Sequence, residues 1–300
     1  MTSVISSPIR WTGSKRKMLN EMLTSFDSDK KIYIEPFLGS ATVLINSLNL
    51  NLYDDYYVND INNHLIDFFV NLRDSTDTLL FSINEIIIYY NSLNTLDDKS
   101  LFFYKMRKAF NSNTTLENKS SIFWFLMKTC FNGVYRINKS GQFNVPFGKK
   151  ISISFNVEQA LNISKLINNV RFFSHTYNDF LTNINLQDNL KNSFIYCDPP
   201  YIPQTVSSKN QKMYTSNHFD HFKFIQFINQ LSIERKPSIM ISMSESRASN
   251  EIYNLNNFEK IPLTEIIRVV NPKRLLKASE VAYLNYSPNN FSESIMGKTD

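Results

Sequence analysis

The residues whose types and spacing point most directly to chemistry are Asp198-Pro199-Pro200-Tyr201, which follow the largely apolar run SFIYC at 193–197. Such a run reads as a strand, and the carboxyl end of a strand in an open parallel sheet faces the ligand crevice. Two consecutive prolines fix the backbone and remove two amide donors. The Asp198 carboxylate and the neighbouring carbonyls then form a rigid set of acceptors. That set suits a planar amino group. An exocyclic amine is a poor nucleophile because its lone pair is delocalised into the ring. Fixed acceptors for both its hydrogens favour the more tetrahedral geometry of attack and stabilise the positive charge that develops. Tyr201 supplies a ring that can stack on a base, a contact worth ~1–3 kcal/mol. A plain proline turn capping a strand is the other reading of these four residues in isolation, so other positions must support the chemistry.

Three further positions do so. Glu35-Pro36-Phe37-Leu38-Gly39-Ser40-Ala41 join an apolar strand at 31–36 to a helix at 42–48 through a Gly-containing turn, the usual seat of a nucleotide-like cofactor. Asp60 ends the next strand, at 56–58, where a carboxylate can accept from both ribose hydroxyls. Asp179-Phe180 follow a strand at 170–174 and can serve an adenine ring. Each of these also reads as a helix N-cap or a loop acid when taken singly. Their order along the chain is the stronger signal.

The elements that must position these groups follow from hydrophobic periodicity. A second strand–helix unit, with helical spacing at 62–72, repeats the first, and repetition of that unit implies a parallel sheet. From 73 to 168 the pattern changes to helical segments at 79–92, 101–110 and 121–128. A polar, Gly-punctuated stretch follows at 132–150, with a surface hairpin expected at Lys139-Ser140-Gly141. Further strands are expected at 238–242 and 280–286. The fold class is therefore α/β, with a mostly helical subdomain inserted into a sheet domain. The expected division is 1–72 with 169–290 for the sheet domain, 73–168 for the insertion and 291–300 for a tail. Residues 203–214, with Ser207, Ser208 and Lys209, read as a mobile loop able to close over a substrate.

Bulk properties narrow the classes. With 300 residues, 42% hydrophobic, only 6 Gly and 10 Pro, the chain is neither disordered nor fibrous. A net charge of +5 and a pI near 9.0 favour a polyanionic partner. The two cysteines, Cys130 and Cys197, have no metal-ligand spacing, so no metal site or disulfide framework is expected, and the setting is expected to be cytoplasmic. Apolar stretches are too short to span a membrane. The composition says nothing about oligomeric state.

Taken in order, the motifs resemble the Dam-type family of DNA adenine-N6 methyltransferases, in which a cofactor motif precedes the target-recognition insertion and the DPPY motif follows it. The resemblance implies a Rossmann-like methyltransferase sheet, S-adenosyl-L-methionine as cofactor and double-stranded DNA as partner. Pro8-Ile9-Arg10-Trp11-Thr12-Gly13-Ser14-Lys15 matches the family's opening motif. The match implies that Trp11 and Lys15 help form the cofactor site and that Arg10 approaches a guanine. YIEPFLGSATV matches through Glu35, Pro36, Phe37 and Gly39, with Ser40 in the same turn, and VNDIN matches through Asp60.

The most family-specific stretch is FNGVYRINKSGQFNVPFG at 131–148. In relatives that read GATC, or a longer site beginning GAT, it forms a β-hairpin in the major groove. The resemblance implies a guanine contact for Arg136, thymine-methyl contacts for Val134 and Pro146, and a gap-filling role for Phe131 and Asn132 where a base has flipped. It also sets Lys139 and Asn144 among the DNA-binding residues. Arg suits guanine O6 and N7, small apolar groups suit the thymine methyl, and an aromatic wedge holds an opened stack apart. Lys149 and Lys150 suit phosphates. One departure is Ala41, where the family usually has glycine. Methylation of cytosine N4 poses the same amino-group problem, and a nucleic-acid-binding module lacking catalysis is the other alternative. The initial Asp of DPPY and the Dam-like hairpin favour adenine.

Overall fold

The computed structural model describes residues 4–112, 119–183, 189–202, 219–271 and 274–288, with backbone alone at 264–271 and 274–278. The loop expected at 203–214 and the tail at 291–300 lie outside the described residues. In chain order the elements are α1 (Leu19–Thr24), β1 (Ile32–Glu35), α2 (Thr42–Asn49), β2 (Asp55–Asn59), α3 (Asn63–Asp74), α4 (Thr76–Ser92), α5 (Leu96–Asn111) and α6 (Lys119–Thr129). They continue with α7 (Val157–Leu166), β3 (Arg171–Phe173), α8 (Tyr177–Asn183), β4 (Ser193–Cys197), α9 (His221–Glu234), β5 (Ser238–Ser244), α10 (Arg247–Ile252), β6 (Glu259–Asn271) and β7 (Arg274–Leu284). The chain divides into two compact units. One comprises Met1–Lys15, Gly39–Asn49 and Asp60–Ser174, the other Arg16–Leu38, Leu50–Asn59 and His175–Asp300.

The second unit holds a mixed sheet in which six strands run β2-β1-β4-β5-β7-β6. β1 pairs in parallel with β2 and β4, and β4 with β5, while β7 runs antiparallel to both β5 and β6. Every residue of β1, β4 and β5 is buried, as expected for central parallel strands covered on both faces. The strand order reverses at β1, which has β2 on one side and β4 on the other. The crevice of an open α/β sheet forms at such a reversal, outside the carboxyl ends of the flanking strands. Those ends carry Glu35-Pro36-Phe37 and Asp198-Pro199-Pro200-Tyr201.

β6 and the amino-terminal half of β7 were not anticipated from the sequence. β6 begins with two charged residues and contains Pro262, features that argue against a central strand. It hydrogen-bonds to β7 and ends the strand order, where a missing amide donor is tolerated, and the register shifts just after Pro262.

The first unit is mainly helical and also contains β3. Its centre is α6, whose residues Ser120–Met127 are all buried, a pattern expected of a helix apolar on every side. α6 packs against α3, α4 and α5. Asn62 caps α3 by accepting from the amides of His64 and Leu65, and Thr95 caps α5 by accepting from Asp98. Among the described residues no helix is long and apolar enough to cross a membrane.

Candidate active site and nucleic-acid interface

In the second unit, Asp198 leaves β4 directly and is half-buried. Its Oδ1 accepts from Ser242 Oγ on β5 at 3.2 Å, and Ser242 Oγ lies 2.9 Å from the Tyr196 hydroxyl. Pro199 is buried and Pro200 exposed. Tyr201 is half-buried, and its hydroxyl donates to Oε2 of Glu280 at 2.9 Å. At the end of β1, buried Glu35 accepts from Tyr33 at 3.0 Å. Asn59 Nδ2 donates to Pro36 O at 3.0 Å and to His175 O at 3.0 Å, tying the loop after β1 to the segment before α8. Phe37 joins an aromatic cluster with Tyr177, Phe219 and Phe224, at centroid distances of 5.8, 5.5 and 5.6 Å.

Asp179 and Phe180 have clear local roles. Thr176 Oγ1 donates to Asp179 Oδ2 at 2.7 Å and accepts from the Asp179 amide at 3.2 Å, which caps α8. Phe180 is only 1% exposed. It is Tyr177, one turn earlier, that carries the ring of this helix into the Phe37 cluster.

In the first unit, Gly39 adopts φ +49 and the next turn residue but one, Ala41, φ +56. Both lie in the left-handed region that glycine occupies without cost. The Gly39 amide donates to Asp60 Oδ2 at 3.0 Å, and the Asn62 amide donates to Asp60 Oδ1 at 2.9 Å. Burial pushes the Asp60 carboxyl above its ordinary range, opposed by those two N–H groups. Beside it, Asn62 Nδ2 is buried with no partner among the described residues. The Trp11 ring lies against Gly39, 3.5 Å from where a Cβ would stand, and stacks on Tyr135 at 5.9 Å. Ser40 Oγ and Ser14 Oγ meet Thr42 Oγ1 at 2.8 and 3.2 Å, and Lys15 is buried.

The segment expected to be a hairpin also belongs to this unit. Antiparallel bridges join Cys130 to Phe147 and Ile137 to Phe143, with Asn144 N donating to Arg136 O at 3.1 Å and Asn138 N to Gln142 O at 2.8 Å. Its hydrogen bonding is thus that of two short antiparallel contacts rather than a continuous ladder. Arg136, Lys139, Phe131, Asn132 and Pro146 are exposed, and Val134 is half-buried. Arg136 Nε donates to Asn144 Oδ1 at 2.8 Å, so these two present a joined polar tip. Gly133, at φ +65, carries the Arg10 side chain directly over its backbone: a Cβ there would lie 2.5 Å from Arg10 Nε. Arg10, Lys128 and Lys150 line a cleft of about 310 Å³ with Ser7 and Ser152. Burial, together with the nearby charges of Lys150 and Arg10, lowers the Lys128 ammonium.

Trp11, Gly39 and Asp60 are therefore brought together within one unit, and Glu35-Pro36-Phe37 and Asp198 within the other. Sequence reading missed Ser242, Glu280, Tyr177, Phe219 and Lys128. The hydroxyl and carboxyl partners on β5 and β7 carry no local motif, because their meaning depends on strands more than 40 residues apart, as the separations of 44 and 79 residues show.

Comparison with known proteins gives the family. Residues 11–270 match the family model described as D12 class N6 adenine-specific DNA methyltransferase. A type II methyltransferase, M.MjaIII of Methanocaldococcus jannaschii, is 29% identical over 93% of this chain and 98% of its own. The DNA adenine methylase of Haemophilus influenzae is 29% identical over 91% of each chain, and that of Escherichia coli K12 is 24% identical over 82% and 83%.

Proposed function

The chain belongs to the D12 class of N6 adenine-specific DNA methyltransferases, and from that premise we propose that it transfers a methyl group from S-adenosyl-L-methionine to N6 of an adenine flipped out of double-stranded DNA, in GATC or a GAT-containing site. The observation that carries this is Asp198, leaving β4 beside the point where the strand order reverses and held by Ser242.

The first unit offers groups that fit the cofactor. The Asp60 carboxylate retains lone pairs for ribose hydroxyls beyond the two it gives to backbone amides, and the unpartnered Asn62 Nδ2 beside it is a donor awaiting an acceptor. Trp11 against Gly39 supplies an aromatic wall, and Lys15 and Ser40 stand in the same two motifs. Glu35, Pro36, Phe37, Asp179, Phe180 and Asp198, in the second unit, are the other residues proposed to bind the cofactor. When bound, S-adenosyl-L-methionine supplies an electrophilic methyl group on a positively charged sulfur.

The chain's own residues do the rest. Asp198 and the Pro199 carbonyl accept the two N6 hydrogens, which localises the nitrogen lone pair and stabilises the charge that develops there. Pro200 keeps the loop rigid, and Tyr201 stacks on the adenine ring. Base flipping is required because N6 inside the duplex is beyond the reach of an enclosed active site. Residues 73–168 act as the target-recognition region, and 1–72 with 169–290 as the catalytic region. Arg10 and Arg136 read guanines, Val134 and Pro146 meet thymine methyls, and Phe131 and Asn132 fill the opened stack. Asn144 holds Arg136, while Lys139, Lys149 and Lys150 meet phosphates.

Transfer of labelled methyl groups from S-adenosyl-L-methionine to unmethylated DNA, with nucleoside analysis and mapping, tests this directly. N6-methyladenine within GATC or a GAT-containing site is expected. N4-methylcytosine, or no transfer with DNA binding intact, would overturn it.

A further inference from the structure

Two members of the DPPY motif are tethered by neighbouring strands. Asp198 accepts from Ser242 on β5, and Tyr201 donates to Glu280 on β7. In the β5–β7 register Ser242 lies opposite Ala282 and Ser244 opposite Glu280. Residues directly opposite in an antiparallel pair share a face, as do residues two apart in one strand. Ser242 and Glu280 therefore belong to one polar strip on one face of the sheet, which Ser244 completes.

Glu280 is 1% exposed. A buried carboxylate is costly unless it is hydrogen-bonded, and a phenolic O–H is a strong partner for one. It stands beside an apolar stretch, Val281-Ala282-Tyr283-Leu284, all buried. An aromatic ring that stacks on a base has two side-chain torsions to fix, and anchoring its hydroxyl removes most of that freedom before the base arrives.

We propose that Glu280 is a positioning residue for Tyr201: the antiparallel strand β7 sets the plane of the base-stacking ring. The inference rests on the adenine-methylation reading, and it deepens that reading by giving β7 a part in substrate positioning. A consequence is that the Tyr201 hydroxyl is committed to Glu280 and takes no part in proton transfer from the substrate amine.

The test is a double-mutant cycle of Tyr201→Phe and Glu280→Leu, with Glu280→Gln as the conservative variant. It is read by single-turnover methylation, by S-adenosyl-L-methionine affinity, and by the fluorescence of 2-aminopurine at the target position. Each single variant should lower the single-turnover rate about tenfold with cofactor affinity unchanged, and the double variant should be no slower than the slower single. Glu280→Gln, which retains an acceptor, should recover most of the rate, and Tyr201→Phe should weaken the stacking quench of the flipped 2-aminopurine. A wild-type rate in Tyr201→Phe, or rate losses that multiply to about a hundredfold, would overturn the inference. If Glu280→Leu fails to fold, the cycle is run with Glu280→Ala, which also removes the acceptor, and a Tyr201→Phe effect unchanged by the Ala background counts against the tether. Wild-type product keeps the two readings apart. N6-methyladenine with multiplying losses removes the tether alone, and N4-methylcytosine removes the adenine reading while the cycle still judges the tether. If the wild type transfers no methyl group, the fluorescence readout decides for or against the tether.

Discussion

The Gly39 amide donates to Oδ2 of Asp60 at 3.0 Å, and this bond joins the turn after β1 to the acidic residue after β2. With Asn62 N on the other oxygen at 2.9 Å, the carboxylate is fixed in place by backbone before any ligand arrives. Such preorganisation lowers the ordering cost of binding. Replacing Asp60 with Ala should weaken S-adenosyl-L-methionine binding by roughly 10- to 100-fold, the loss of hydrogen bonds from hydroxyls to a charged acceptor at ~1.5–3 kcal/mol. Isothermal titration calorimetry measures this, and an unchanged Kd would remove Asp60 from the cofactor site.

Ser242→Ala should act on turnover. Asp198 loses a donor that holds its Oδ1, while the apolar packing of β5 is untouched. A fall in kcat of about tenfold is expected, corresponding to ~1.4 kcal/mol, with cofactor affinity near wild type and a stability loss of ~1–3 kcal/mol from the buried Tyr196 hydroxyl that loses its Ser242 partner. Equal loss of cofactor affinity would mark Ser242 as a general structural residue instead.

Arg136 and Asn144 should act as one unit in DNA reading, because Arg136 Nε donates to Asn144 Oδ1 at 2.8 Å. Arg136→Ala should relax discrimination at one base pair by ~1–3 kcal/mol. Asn144→Ala in that background should add little. Rates on substrates differing at single positions give both numbers, and independent, additive losses would break the pairing.

Gly133→Ala tests the seating of Arg10. The new Cβ would meet Arg10 Nε at 2.5 Å and also force an L residue to φ +65. Strain of ~1–2 kcal/mol is expected from the backbone alone. The Arg10 side chain can swing away, so the protein should still fold, with a change in sequence preference matching that of Arg10→Ala. Urea titration and the same substrate panel read the two effects. Sequence preference identical to wild type would show that Arg10 does not depend on Gly133.

Acid should destabilise the fold through His221. Burial lowers this imidazole from 6.5 to about 4, and its Nδ1 lies 2.7 Å from the Tyr253 hydroxyl. The folded ring is therefore neutral where the unfolded ring begins to protonate. A depressed folded pKa contributes stability that is full above 6.5 and is lost as pH falls towards 4. Between pH 6.5 and 5 the loss from this group is at most roughly 2 kcal/mol, at about 1.4 kcal/mol per unit. Urea unfolding of wild type and His221→Gln at pH 7 and 5 tests it: the variant should lose less stability on acidification. An equal loss in both would assign the acid sensitivity elsewhere, with His64, also lowered to about 4, the next group to replace.

Much of this was legible in the linear chain because it is local. Runs such as IYIE and SFIYC declare buried strands by apolar content, and the strand–turn–helix units around Gly39 and Asp60 follow from residues within one or two turns of each other. DPPY declares itself because two prolines and an acid act on their own backbone. Tertiary structure alone decided what depends on strand order and register. It set β4 beside β1 at the reversal, gave Asp198 its Ser242 and Tyr201 its Glu280, and made a strand of 259–271 against β7. It also carried the half-buried Tyr177 ring of α8 into the Phe37 cluster. The physical reason is that periodicity records which face of an element is apolar, whereas a partner across the sheet is selected by pairing register, and no residue near Asp198 in sequence carries that information.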